Sequence, residues 1–212
     1  MTPAVDPPRQ VEEYAARAVD YVKRAVGLEL AYDSDTLPLL DHYLRSVPGT
    51  EPATVALIAL TAGAYFGEVV RRHLGGRWDL SAEDPMAWRM VLPTGIHFAP
   101  AGFAAAAILR DELEDLDTAL DAPSRIRPHL EGALERMGEV SVDDFYSLCG
   151  RLDTLEHVHE VLVAVAANML GNSELEEEGA EVDAEAALEP TLAVDEPDEV
   201  ADLPPDAGDQ LN

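Results

Sequence analysis

The sequence predicts a mainly helical domain of the α+β class, built round a central apolar helix with a small antiparallel β element and followed by a disordered acidic tail. Three observations predict it. Apolar residues recur at three and four spacing in several segments bounded by Gly and Pro. The sixteen residues between Glu51 and Glu68 carry no charge. Residues 173–212 hold 15 acidic residues, no basic one and no aromatic, a composition that buries too little surface to order itself.

A chain of 212 residues, 47% of them hydrophobic, is long enough for one sizeable core, which places the domain at 1–172 and the tail at 173–212. Val11, Tyr14, Ala15, Ala18, Val22, Ala25 and Val26 follow Asp6, Pro7 and Pro8 and give an amphipathic first helix that ends at Gly27. Leu37, Leu40, Tyr43, Leu44 and Val47 form the stripe of a shorter second helix, with Asp33 and Ser34 as candidate caps and Pro48 and Gly49 as its stop. The third starts near Thr50 and runs to the paired glycines Gly75 and Gly76. It is apolar nearly all round as far as Glu68, which puts it at the centre of the fold. Gly63 and Gly67 lie four apart on one face of it, and since glycine costs a helix about 1 kcal/mol against alanine, close packing is expected there.

Beyond Gly76 the runs RWDL, AWRMVL and GIHF are short, aromatic and branched, and predict two or three strands. AGFAAAAILRDELEDLDTAL is helix-prone from Pro100 to Leu120, and a further helix is expected over 124–137, ending at Gly138. Ser141, with Asp144 three residues on, caps a short helix. The last helix is expected to open at Asp153, with Glu156 completing a capping box and Leu155, Val158, Leu162, Val165, Ala166 and Met169 as its buried stripe, and to close at Gly171.

Charge and composition narrow the function classes. Net charge is −28, with 42 acidic residues in the whole chain. Removing the tail's 15 leaves 27 acidic against 14 basic in the body, a field that repels nucleic acid and anionic membranes and favours a basic protein partner. One cysteine, Cys149, makes no intrachain disulfide and fits the cytoplasm. MTPAVDPPRQ has neither the basic start nor the apolar run of a secretory signal. The uncharged stretch before Glu68 is shorter than the roughly 20 residues of a membrane span. That between Arg89 and Arg110 is punctuated by Pro93, Gly95, Pro100 and Gly102.

Candidate chemistry is sparse. His157 and His159 lie two apart and point about 200° away from each other on a helix, while a zinc helix needs its histidines four apart; no metal and no cofactor are expected. Cys149 in YSLCG reads as a small buried thiol. Phosphate-binding loops, dinucleotide fingerprints and nucleophile elbows do not occur. Glu68 stands out, since a carboxylate among apolar residues must pair with a base or stay protonated, and Arg71 and Arg72 stand three and four residues on.

GLELAYDSDTLPLLDHYL, GAYFGEVVRRHLGGRW and YSLCGRLDTLEHVHEVL together resemble a loose group of bacterial helical domains of unassigned function, over roughly Tyr14 to Leu170. Gly63, Tyr65, Gly67, Glu68 and Trp78 carry the resemblance in the central motif GxYxGExxRRxLGGxW. It implies a helical domain with a small sheet and assigns no reaction.

The expected function is therefore a non-enzymatic acidic interaction domain, an inhibitor or immunity-like binder of a basic protein, with no catalytic residue. The alternative is a small-molecule-binding protein or enzyme with a pocket between the central helix and the sheet, lined by Glu68, Arg71, Arg72, Trp78, Trp88 and His97.

Overall fold

The computed structural model describes residues 6–111 and 117–186, with side chains as far as Asn168. Among the described residues seven α-helices and three short strands follow one another in the order α1 (Arg9–Val26), α2 (Leu37–Ser46), α3 (Pro52–Leu74), β1 (Arg77–Asp79), β2 (Arg89–Val91), β3 (His97–Phe98), α4 (Pro100–Leu109), α5 (Arg127–Met137), α6 (Val142–Phe145) and α7 (Leu148–Ala186). The main unit spans Met1–Met169, and a second, Leu170–Asn212, holds the end of α7.

The apolar α3 is the core helix, as its pattern requires. From Thr61 to Val70 every residue is buried, and α1 and α4 pack against it. It is also the one described helix long and apolar enough to cross a membrane, but 67% of its most apolar window is buried inside the protein. Gly63 faces the start of α4 so closely that an added Cβ would meet Ala101 Cα at 2.5 Å, and at Gly67 an added Cβ would strike the indole of Trp78. Both glycines mark the close approach that their spacing predicts.

Strands β1, β2 and β3 form an antiparallel sheet in that order, with Trp78 opposite Met90 and Met90 opposite Phe98. Met90 and Phe98 point inward to the core, where Phe98 stacks on Phe103 of α4 at 5.0 Å between ring centroids. His97 is bridged to Asp121 beyond the sheet.

Four helix boundaries depart from the sequence expectation. The helix expected through Leu120 stops at Leu109, where Arg110 turns left-handed at φ 53°. Acids stand three and four apart beyond it, at Asp111, Glu114, Asp115 and Asp117, and like charges at such spacing oppose a helix. Residues 117–120 carry no helix, and the rest of the expected segment, 112–116, lies outside the described residues. Next, α5 begins at Arg127 with Pro128 in its first turn, so 124–126 of the expected helix lie before it. Third, α7 opens at Leu148 instead of Asp153, because the buried carboxylate of Asp41 on α2 accepts the backbone N–H of Leu148 at 2.7 Å and of Cys149 at 3.1 Å. Ser147, whose Oγ accepts the backbone N–H of Gly150 at 2.9 Å, adds a local cap, and the two together replace the expected capping box. Finally, α7 runs through Gly171 to Ala186, since 174–186 is rich in Glu and Ala, good helix formers. The remaining acidic residues, 187–212, on which the expected disorder also falls, lie outside the described residues.

Candidate functional site

The C-terminal half of α3 carries the acid singled out by the sequence. Leucines, valines and aromatics continue the apolar surface on either side of Glu68, so the helix carries the carboxylate into the core, where the residue is 1% exposed. Such a charge needs full compensation. Arg71, one turn on, supplies it in a fork. Its Nε donates to Oε1 at 2.9 Å and to Oε2 at 3.1 Å, and its Nη2 donates to Oε2 at 3.0 Å. The indole Nε1 of Trp78, from β1, donates to Oε1 at 2.8 Å. Both oxygens are thereby occupied, in the bidentate geometry that makes Arg–carboxylate pairs strong.

Arg72 stands at the outer side of this pair. Its Nε is 3.9 Å from Glu68 Oε2, its side chain is half exposed, and its guanidinium lies 4.3 Å from the ring centroid of Tyr32. Tyr32 adopts φ 59°, uncommon for a non-glycine residue. Its backbone N–H donates to the Tyr65 hydroxyl at 2.8 Å, and the two rings pack at 4.8 Å. Burial pushes the Tyr65 phenol above its ordinary value, so it remains a neutral hydroxyl between Tyr32 and Thr36, whose Oγ1 lies 3.1 Å away.

Of the six residues proposed from the sequence, the structure thus gathers Glu68, Arg71, Arg72 and Trp78. His97 belongs elsewhere, and Trp88 neighbours only Trp78 of this group. The Trp88 indole donates to the Ala82 carbonyl at 3.2 Å and meets Tyr14 edge-on. It shares with Trp78 a cavity of about 10 Å³, bounded also by Gly63, Ala64, Pro85 and Pro100, which is room for one water at most. His97 Nε2 lies 3.4 Å from Asp121 Oδ2, on the far edge of the sheet.

Of the other candidates, His157 has a buried Nε2 with no hydrogen-bond partner among the described residues, and the rest find structural partners. Glu156 receives His73 Nε2 of α3 at 2.8 Å, and His159 Nδ1 lies 3.4 Å from the Thr94 hydroxyl. Among the described residues no group of three or more His, Cys, Asp or Glu could hold a metal ion. Burial, with the Asp41 carboxylate beside it, pushes the Cys149 thiol far up, which leaves a poor nucleophile.

Sequence reasoning missed two features. Asp41 shares the buried face of Leu37, Leu40 and Leu44, and an acid on an apolar stripe was the signal available for a buried cap. Arg151 lies within a cage of aromatics, 4.7 Å from the Phe103 centroid and 4.2 Å from that of Phe145; nothing in local spacing announces that meeting of α4, α6 and α7. Comparison of the chain with protein-family models, curated proteins and solved structures finds no match to any of them.

Proposed function

We propose that this chain is a non-enzymatic acidic interaction domain that works in the cytoplasm as an inhibitor or immunity-like binder of a basic protein. One observation carries the reading. Glu131, Glu135, Glu139, Asp143, Asp144 and Asp153 are all exposed, against Arg136 as the one exposed base in that stretch. An acidic surface of this kind steers and holds a cationic partner while rejecting polyanions. The occupied carboxylate of Glu68 supports the same choice, since its hydrogen bonds to Arg71 and Trp78 describe a structural ion pair rather than an acid awaiting a substrate.

Affinity capture with the full chain from source lysate, at low and at moderate salt, tests this. A basic protein retained at low salt and weakened at moderate salt is the expected result. Retention of neutral or acidic proteins alone, or capture indifferent to salt, overturns it.

A further inference from the structure

We propose that the face built by α5, α6 and the first turns of α7 docks a cationic amphipathic segment of a protein partner, with one apolar side chain entering a pocket and the flanking cations meeting the acids around it. The inference rests on the interaction reading above and names its surface. The pocket has a volume of about 300 Å³, at the lower end of the roughly 300–1,000 Å³ of small ligand sites and ample for one anchoring side chain. Its described walls are mostly apolar, with Leu134, Met137, Val140 and Phe145, and carry one acid and one base, Asp144 and Arg151.

Val140 and Phe145 are 46% and 37% exposed, and Val142 between them is 65% exposed. Leu28, Leu57 and Val163, the other exposed large apolar residues among the described ones, are far apart in sequence. Single exposed apolar side chains are ordinary, whereas three within six positions beside an apolar pocket mark an interaction surface. The pocket is also firmly framed: Arg151 holds the Phe145 ring from one side, and Ser141 and Asp144 cap α6 reciprocally, at 3.1 Å for the backbone N–H of Asp144 and 2.7 Å between side chains.

Charge selects the occupant. Asp143 is paired with Arg110, but Glu135 and Glu139 are exposed and make no ion pair among the described residues. An anionic or purely apolar ligand would leave these carboxylates uncompensated or unused. A segment that alternates an apolar anchor with lysine or arginine complements both the pocket and its rim, in the manner of an amphipathic helix laid on a groove.

The test uses the full chain and, as probe, a short helical peptide of leucine and lysine with one apolar face, beside its leucine–glutamate counterpart. Binding is followed by backbone amide shifts at low and moderate salt. The lysine peptide is expected to perturb residues 134–154. Its affinity should fall by about tenfold in Val140→Ser. A similar loss is expected at low salt in Glu139→Lys, with no change in Leu28→Ser. Melting curves establish that each variant is folded, and Val140 is exposed enough for its replacement to leave the core intact.

Shifts confined to 173–212 or to another face overturn the docking surface and leave the interaction reading standing. Equal binding of the glutamate peptide, or an affinity indifferent to Val140→Ser, overturns it in favour of a nonselective or small-molecule site. Absence of lysine-peptide binding anywhere at low salt overturns both this inference and the reading beneath it.

Discussion

At the level of single residues, Glu68 shows how a buried charge is made tolerable. Desolvation would expel a lone carboxylate from the core, yet here a guanidinium and an indole N–H occupy both oxygens. Glu68→Gln should destabilise the protein by roughly 3–5 kcal/mol, because the Arg71 guanidinium, with a side chain only 9% exposed, then loses its counter-charge. Trp78→Phe keeps the ion pair and loses one charge-assisted hydrogen bond, so about 1.5–3 kcal/mol is expected. Urea melts of both variants check the order, and a Glu68→Gln variant as stable as wild type would contradict the structural role. His159 supplies a pH dependence of a different kind. Burial lowers its pKa from the ordinary 6.5, so the folded state holds its proton less tightly than the unfolded chain. Its contribution is full above about 6.5 and is lost as pH falls through the depressed value. Wild type should therefore lose more stability than His159→Gln between neutral and mildly acid pH, read from denaturant midpoints; parallel curves would exclude the effect.

Among the elements, contacts between helices decide what local pattern leaves open. The apolar run of α3, its glycine stop and the pair Gly63 and Gly67 were readable, because periodicity and missing side chains report burial and close approach directly. Gly63→Ala should cost about 1–3 kcal/mol in a denaturant melt, since the new methyl meets the backbone of Ala101, which cannot turn aside as a side chain could. A silent Gly63→Ala would mean that α3 and α4 stand further apart than described. The start of α7 was readable only in part. Ser147 is a local cap, its Oγ accepting the Gly150 backbone N–H at 2.9 Å, but the other cap comes from Asp41, more than a hundred positions away in sequence, and the expected capping box of Asp153 and Glu156 lies inside the helix. Asp41→Ala should cost about 0.5–2 kcal/mol as a lost cap, whereas Asp153→Ala should leave stability almost unchanged. Equal effects of the two would restore the local cap. The same limit applies to the candidate site: spacing along α3 brought Glu68 to Arg71, but the position of Trp88 and His97 depends on sheet register and on the bridge to Asp121, which sequence neighbours do not encode.

For the whole molecule, the decisive contrast is between a core that ends within α7 and an acidic segment that continues past it. Leu162, 4% exposed, is the last buried residue among the described side chains; Val163, Ala164, Ala166 and Ala167 beyond it are exposed and Val165 is half-buried. The main compact unit likewise ends at Met169. The sequence expected the buried stripe to continue through Val165, Ala166 and Met169, but Val165 is half-buried, Ala166 is exposed and Met169 lies outside the described side chains, because the core ends a turn earlier; nor did composition foresee that the helix continues to Ala186. Truncation after Asn172 therefore removes no residue of the described core. It also removes 15 acidic residues and no basic one, which brings the net charge from −28 to −13 and relieves self-repulsion. The melting temperature of the truncated chain should be unchanged at moderate salt and equal or slightly higher at low salt, where repulsion is least screened. A loss of several degrees at both salts would show that the removed segment packs on the body, through aliphatics such as Leu188, Leu192 or Val194, and that the core given by residues before Asn172 is incomplete.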